Sequence, residues 1–410
     1  MTADRTNLLN RRQALAVAGA GLLAAPAMGQ TSLRRAGATN IPSRGSLAPF
    51  GLTRQWVGQA TFDPGADQLR SIVADERAVF AVGKQGTVTA FDAETGGRLW
   101  AARVGSQDQP VLEPVANETQ VILVVGTRLV AIDKVSGAVQ WRLNLDALPS
   151  AGPAADDRNV YVGFEDGGVA AYDLRKVRTL FNEGKLRDYS YNSRVWTYRT
   201  SKAISSPPIT DGTIVGFASR SGVFYGVDAN TRNLRYLFEG AGPITAPVTE
   251  AGDRVLIPCD DLNTYCIDKR NGNVLWTVVT GLPVRRKPTV IGGRVYLSPG
   301  RAGLLAADLE SGVRQWGQPA ASDFVASSGG RVYCMTTFGG MVALEADSGR
   351  VTGRLPISGF DHYVTNQRTD RVFLASSRGT VLCIRERVRS FPRFHQRPER
   401  EPIRPEFAAG

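Results

Sequence analysis

Between about residue 50 and residue 388 the chain alternates short apolar runs with polar turns, and no helical period of 3.6 residues stands out. Apolar runs occupy residues 159–164, 255–258, 295–298, 332–335 and 372–375. Short apolar runs bounded by turn residues are typical of β-strands. The pattern therefore predicts an all-β fold for this part of the chain.

One phrase recurs along these strands: a small residue, an apolar residue, Asp, a few Ser, Thr or variable positions, Gly, and then Trp. The clearest copies end at Trp100, Trp141, Trp276 and Trp316, and four weaker copies lie between and after them. Successive copies are spaced by about 40 residues, with one spacing of about 55, which is typical of propeller blades. We predict an eight-bladed β-propeller with four antiparallel strands in each blade.

The positions of the phrase have structural roles. The acidic residue accepts backbone N–H groups across the turn between the last two strands of a blade. The glycine supplies a positive φ for a bulged hairpin, and the tryptophan on the outer strand covers the gap between blades. The predicted structural residues are Asp92, Asp133, Asp173, Asp228, Asp268, Asp308, Gly96, Gly137, Gly272, Gly312, Trp56, Trp100, Trp141, Trp196, Trp276 and Trp316. We predict no catalytic residue among them.

The last copy of the phrase, around Arg385, is not followed by a Trp-containing strand. Residues 52–56, in contrast, look like an outer strand with its tryptophan, Trp56, but without the rest of a blade. The N-terminal strand is therefore predicted to complete the last blade and close the ring, which removes sheet edges that favour aggregation.

The N-terminus has the features of an export signal. Arg11 and Arg12 precede an uncharged apolar run over residues 14–28, which is too short to span a bilayer. We predict a twin-arginine signal peptide over residues 1–29, with cleavage after Ala27 as an alternative, and a periplasmic or exported protein. A soluble N-terminal helix is the other interpretation. No cysteine follows the run closely, so a lipid-anchored route is not expected.

The remaining boundaries follow from composition. Residues 30–48 are polar and are predicted to be a linker, residues 49–389 form the propeller, and residues 390–410 form a disordered basic, Pro-rich tail. The net charge is +11, but much of the excess lies at the two ends, so solvated tails explain it better than a basic face that binds nucleic acid or a membrane surface. We expect a monomer without a transmembrane helix in the mature chain.

Candidate chemistry is sparse. The chain contains four Cys and two His, with no CxxC pair and no metal-ligand spacing, so neither a metal nor a cofactor is expected. No Ser-His-Asp set, P-loop or dinucleotide fingerprint occurs. Cys259 and Cys266 flank a short turn and are predicted either to form a disulfide in an oxidising compartment or to remain two buried thiols.

One unit carries about 15 extra residues within 175–194, which are predicted to form a hairpin loop on one rim of the propeller. This segment is basic and aromatic, with Phe181, Arg187, Tyr189 and Tyr191 as the candidate partner-contact residues. A loop without function is the alternative interpretation.

The repeated phrase resembles the repeat of the pyrroloquinoline-quinone-type β-propellers. Residues 87–100, 129–141, 264–276 and 304–316 match it well, with Cys266 and Asn271 as small departures in the third match. The resemblance covers residues 50–388 and implies one of two branches. One contains quinone-dependent dehydrogenases, and the other is the non-enzymatic branch that includes BamB, a subunit of the outer-membrane β-barrel assembly machine.

The non-enzymatic branch matches better, because a single eight-bladed ring of this length without further domains is similar to BamB. That resemblance implies a scaffold that binds envelope proteins or peptides through its rim loops. The enzyme branch implies a vicinal disulfide and a calcium site, but the chain has no adjacent cysteines, and the candidate carboxylate cluster outside the repeat turns is the pair Asp260-Asp261. The alternative functions are a quinone-dependent alcohol or sugar dehydrogenase and a ligand- or glycan-binding sensor.

Overall fold

The computed structural model describes residues 39–396, and within this range the strands form eight sheets of four antiparallel strands arranged in a ring. The prediction of an eight-bladed β-propeller is therefore confirmed. Each blade runs outward from its first strand to its fourth, and consecutive blades follow one another around the ring. The signal sequence predicted for residues 1–29 lies outside the described residues.

The strands are numbered here in chain order. Blades one to four comprise β2 (Leu69–Ala74), β3 (Ala78–Gly83), β4 (Thr87–Asp92), β5 (Arg98–Arg103), β6 (Val115–Ala116), β7 (Gln120–Val125), β8 (Arg128–Asp133), β9 (Val139–Asn144), β10 (Ala154–Ala155), β11 (Asn159–Gly163), β12 (Gly168–Asp173), β13 (Arg194–Arg199), β14 (Ile209–Thr210), β15 (Ile214–Ala218), β16 (Val223–Asp228) and β17 (Leu234–Glu239). Blades five to eight comprise β18 (Thr249–Ala251), β19 (Arg254–Pro258), β20 (Asn263–Asp268), β21 (Val274–Val279), β22 (Thr289–Ile291), β23 (Arg294–Leu297), β24 (Leu304–Asp308), β25 (Arg314–Gln318), β26 (Asp323–Ser328), β27 (Arg331–Met335), β28 (Met341–Glu345), β29 (Val351–Leu355), β30 (His362–Tyr363), β31 (Val372–Ala375), β32 (Thr380–Glu386) and β1 (Leu52–Gln59).

Blade eight closes the ring as the sequence predicts. Its strand order is β1-β32-β31-β30, so the first strand of the chain is the outer strand of the last sheet. β1 pairs antiparallel with β32 from Leu52 opposite Glu386 to Gln59 opposite Thr380, and Trp56 lies opposite Cys383. Because the two strands are separated by most of the chain, the ring closes only when its first and last parts meet.

The hydrophobic core lies between neighbouring sheets. Phe80 and Trp100 of blade one, for example, pack with Val121 and Leu123 of blade two in one buried cluster. Burying one such side chain stabilises the fold by roughly 1.5–3 kcal/mol. The small residue of the repeat lies in these interfaces, as fully buried Ala90 and Ala131 do, where a larger side chain would overpack the contact between sheets.

Ion pairs between hairpins of successive blades support the apolar contacts. Lys134 Nζ lies 2.5 Å from Asp75 Oδ2, and Lys269 bridges Asp211 and Glu250. Burial opposes ionisation of Asp211, but hydrogen bonds from its own turn and from Lys269 outweigh burial and lower the pKa of Asp211. Asp211 therefore stabilises the folded chain in its charged form.

Within residues 39–396 the helices are few. They are α1 (Arg44–Leu47), α2 (Leu174–Asn182) and α3 (Leu186–Tyr189), with single 3-10 turns at Ala48–Phe50, Ser190–Ser193 and Gly300–Ala302. α1 lies within the predicted linker, so the structure differs from that prediction over its last residues. Ser43 caps the helix by accepting the N–H of Ser46 at 3.0 Å, and Leu47 is buried in the core beside β1.

The beginning of the predicted tail is also ordered. Phe394 is buried and forms a β-bridge with Thr369, and the N–H of Arg393 donates to Asp370 Oδ1 at 3.1 Å. The prediction of disorder from residue 390 is therefore wrong for residues 390–396, because this segment completes a polar cluster at the edge of blade eight. The residues after 396 lie outside the described part of the chain.

Candidate interaction site

The acidic residues of the repeat are engaged in their own turns. In blade one, Asp92 Oδ1 accepts the N–H groups of Glu94 at 3.1 Å and Thr95 at 2.7 Å, and Gly96 follows with a φ of 72°. The same pair of side-chain-to-backbone bonds occurs at Asp133, Asp228 and Asp308, and Asp268 accepts the N–H of Arg270. The turn bonds from Ser136 lower the pKa of Asp133. These carboxylates therefore hold the hairpins and are not presented to a ligand.

The tryptophans connect each blade to the next. Trp100 donates from Nε1 to the carbonyl oxygen of Lys134 at 2.9 Å, and its ring lies 2.6 Å from the place where a Cβ on Gly137 would be. The glycine thus combines a positive φ with room for the indole. Four further tryptophans donate to the equivalent carbonyl of the next blade: Trp56 to Ala93, Trp196 to Ala229, Trp276 to Leu309 and Trp316 to Ala346.

Trp141 departs from this arrangement. It is fully buried, but its Nε1 has no hydrogen-bond partner among the described residues. The next blade has no short acidic turn to offer a carbonyl, because an insertion of residues 174–193 occupies that place. Leu174, Val177 and Leu186 of this insertion pack in the same cluster as the indole. Apolar burial therefore replaces the hydrogen bond at this interface.

The insertion lies in the hairpin connection between β12 and β13, as predicted, and it contains α2 and α3. Asp173, the acidic residue of this repeat, caps α2 by accepting the N–H groups of Arg175 and Lys176, each at 2.9 Å. Leu174 and Val177 face the core, since residues three apart share one side of a helix. The capping Asp followed by apolar residues at positions 174, 177 and 180 is the sequence signal that identifies such a helix.

The predicted contact residues lie together on the insertion. Phe181, Tyr189 and Tyr191 are 36%, 44% and 57% exposed, and the two tyrosine rings have centroids 6.2 Å apart. Arg187 is exposed on α3 and lies between Phe181 and Tyr189 in the sequence. The structure therefore presents an aromatic and basic surface on the rim that also carries the acidic turns. Three further exposed basic residues lie on α2 and are not among the predicted contact residues: Arg175, Lys176 and Arg178.

Of the two alternatives predicted for Cys259 and Cys266, a disulfide or two buried thiols, the structure shows the second. Both are free buried thiols, as are Cys334 and Cys383. Cys266 lies opposite Leu256 in the sheet, whereas Cys259 follows the strand and its N–H donates to the carbonyl of Asn263. The two side chains therefore occupy different levels of the hairpin. Burial raises the pKa of Cys266 to about 11, which keeps this thiol protonated.

A family model described as "Outer membrane protein assembly factor BamB" matches residues 52–237 and 235–393, which is nearly the whole described propeller. The chain belongs to the BamB family of β-propellers. The resemblance noted from the repeat is thereby confirmed.

One sequence relative and two solved structures illustrate the similarity. BamB from Yersinia pestis is 24% identical over 293 residues, a match that covers 66% of this chain and 62% of that relative's length. The crystal structure of BamB from Moraxella catarrhalis has a TM-score of 0.65 at 15% identity, covering 82% of this chain and 98% of that one. The computationally designed protein Ika8 gives 0.64 at 14% identity, with coverages of 80% and 98%. The solved structures show the common fold.

The candidate carboxylate pair Asp260-Asp261 accepts hydrogen bonds from neighbouring side chains of this BamB-family propeller. Asp260 accepts from Thr245 at 3.0 Å and from Arg285 at 2.8 Å, and Asp261 accepts from the hydroxyl of Tyr265 at 2.6 Å. Within residues 39–396, no group of three or more His, Cys, Asp or Glu side chains is placed to hold a metal ion. Over the same range, no helix has the length and apolar character needed to cross a bilayer.

Proposed function

We propose that this protein is a non-catalytic binding scaffold of the cell envelope, exported by a twin-arginine signal over residues 1–29. The observation that carries the proposal is the BamB family match across residues 52–393. The geometry supports it, because the repeat carboxylates are engaged in turns and the exposed departures from the repeat are rim elements. Loops held by a rigid frame are well suited to binding.

The insertion is proposed as a partner-contact element through Phe181, Arg187, Tyr189 and Tyr191. Tyrosine and arginine are enriched where proteins bind partners, because they combine large contact area with hydrogen bonding. Protein partners are proposed to bind the rim loops outside the insertion. Two loops carry apolar side chains that are almost fully exposed to solvent: Phe338 is 98% exposed and Val135 is 86% exposed.

Site-specific cross-linking tests the scaffold role. Photo-reactive residues at Val135, Tyr191 and Phe338, introduced one at a time, sample both rims, and cross-linked products are identified by mass spectrometry. We expect a defined envelope protein at one or more of these positions, and none from a matched position on the buried face of a blade. If all rim positions give no envelope protein, the scaffold proposal is wrong.

Export and lack of catalysis have separate tests. Arg11→Lys/Arg12→Lys is expected to leave the protein in the cytoplasm, because the paired arginines are the feature that identifies the signal. Incubation with pyrroloquinoline quinone and calcium is expected to give no dye reduction with alcohols or sugars. Turnover in that assay would favour the dehydrogenase alternative. Light scattering is expected to give the mass of a monomer.

A further inference from the structure

The insertion carries exposed cationic side chains and exposed aromatic side chains. Residues 174–193 contain five basic and two acidic residues. Arg175, Lys176 and Arg178 lie exposed along α2, and Arg187 is exposed on α3. None of these four has an ion-pair partner within residues 39–396, whereas Lys185 pairs with Glu183 at 3.1 Å. The surface therefore keeps most of its positive charge available.

The orientation of α2 determines what this surface can bind. Its apolar side is already buried, since Leu174 and Val177 pack with Trp141 in the core. The outward side is therefore polar and cationic, so α2 has no apolar stripe to insert into a groove on another protein. Lysine is also depleted in protein–protein interfaces. A broad anionic surface fits this side better than a shaped protein pocket.

Tyr189 and Tyr191 provide the aromatic side chains that contact with a membrane surface would use. Both rings are exposed, close together and next to the basic residues in sequence. Tyrosine is enriched at membrane–water interfaces, where the ring lies among headgroups and the hydroxyl remains hydrated. Basic residues near a membrane add attraction to anionic lipids. The two kinds of side chain together are typical of interfacial membrane contact.

We propose that the insertion docks the propeller on an anionic phospholipid surface, with Lys176, Arg178 and Arg187 contacting headgroups and Tyr189 and Tyr191 lying at the interface. This inference rests on the proposed function in taking the insertion as a contact element, and it names the partner of that element. The opposite rim then faces away from the lipid, where it is accessible to proteins.

Vesicle co-sedimentation of the exported protein, as purified, tests the docking. We expect binding to phosphatidylcholine vesicles that contain about 30% phosphatidylglycerol and little binding to phosphatidylcholine alone. Because the attraction is between exposed charges, binding is expected to fall as salt is raised from about 50 mM to about 500 mM. Equal binding to both vesicle types would overturn the proposal.

Variants assign the binding to the insertion. One basic residue near an anionic membrane contributes about a fivefold change in partitioning, so Lys176→Gln/Arg187→Gln is expected to weaken binding roughly 25-fold. The matched control Lys202→Gln/Arg301→Gln removes the same charge from two exposed residues on the opposite rim and is expected to leave binding unchanged. An equal loss in the control would show that net charge alone acts, and would contradict docking by the insertion.

The aromatic contribution is tested without a change in charge. Tyr189→Ser/Tyr191→Ser is expected to weaken vesicle binding while far-UV circular dichroism and thermal midpoint stay close to those of the parent. Binding to soluble poly-glutamate but not to phosphatidylglycerol vesicles would identify an acidic protein as the partner and refute the lipid assignment. Cross-links to envelope proteins at the other rim positions would in that case still support the scaffold role.

Discussion

Arg371, which directly precedes β31, joins the last blade to the first. It is fully buried, and its guanidinium donates from Nε to Glu94 Oε1 at 3.0 Å and from Nη2 to Glu94 Oε2 at 2.8 Å. Nη1 also donates to Asp370 Oδ1 at 3.1 Å, and Nη2 to the carbonyl of Ser390 at 3.0 Å. One side chain therefore connects blade eight, the acidic turn of blade one and the C-terminal segment.

Replacing this side chain by leucine is expected to destabilise the ring by about 3 kcal/mol. Removing one partner of a buried ion pair costs about 3–5 kcal/mol, because the remaining charge stays buried without compensation. The buried carboxylate left behind here is Asp370. Glu94 moderates the cost, since burial already raises its pKa and its carboxyl can be protonated when the cation is lost. The expected value therefore lies at the lower end of that range.

A double-mutant cycle in urea measures this interaction. The midpoint and slope of unfolding are compared for the parent, Arg371→Leu, Glu94→Gln and the double variant, with tryptophan fluorescence and circular dichroism as independent probes. Because the two side chains share hydrogen bonds, the cost of the double change is expected to be smaller than the sum of the two single costs by more than about 1 kcal/mol. Additive costs would show that ring closure does not depend on this pair.

Three further changes have expected outcomes that are measurable as shifts in thermal or urea midpoints. Gly137→Ala combines backbone strain with a clash against the indole of Trp100. Gly252→Ala is the control, because its φ is also positive but the space around its Cβ is open. Gly137→Ala is expected to lower the free energy of unfolding by about 2 kcal/mol more than the control, and equal losses would contradict the packing role. Trp276→Phe loses a hydrogen bond, whereas Trp141→Phe removes an unsatisfied N–H, so Trp276→Phe is expected to cost about 1 kcal/mol more, and the reverse order would disprove the assignment. The folded pKa of Asp211 is lowered, so its stabilisation is present above its unfolded pKa of about 3.9 and is lost as pH falls through the folded value. Asp211→Asn is therefore expected to lower the unfolding midpoint at pH 7. Below about pH 5 the midpoint of the variant is expected to fall less steeply with decreasing pH than that of the parent, and an equally steep fall would contradict this.

The blade architecture was predictable because every repeat carries its own turn chemistry. An Asp that bonds its own turn, a glycine with positive φ and a tryptophan on the next strand are local features, and each is visible in a few residues. Ring closure was predictable for the same reason, because Trp56 carries the outer-strand feature without a blade of its own. Local signals repeated many times add up to an unambiguous period.

The sequence was not sufficient where the structure depends on contacts between residues far apart in the chain, or where one repeat departs from the turn chemistry of the others. The pair of Arg371 and Glu94 is separated by 277 residues, and nothing near either residue indicates the other. Of the two alternatives for Cys259 and Cys266, the disulfide failed because β20 begins at Asn263 and Cys266 lies opposite Leu256, so the two cysteines do not face each other. In the insertion, Asp173 begins a helix instead of a hairpin turn, because residues 174 and 177 find an apolar surface to cover.

The insertion is better understood as an integrated part of blade three than as a loop without function. Leaving the N–H of Trp141 buried and unbonded costs about 1–3 kcal/mol. Burying Leu174, Val177 and Leu186 over that indole contributes roughly 1.5–3 kcal/mol each, which outweighs the lost bond. At this interface the packed insertion, residues 174–193, therefore takes the place of one hydrogen bond between blades and forms a rigid platform on the rim. Because the repeat positions of the other blades are engaged in holding the ring, a platform of this kind is where new binding chemistry can be added without weakening the fold.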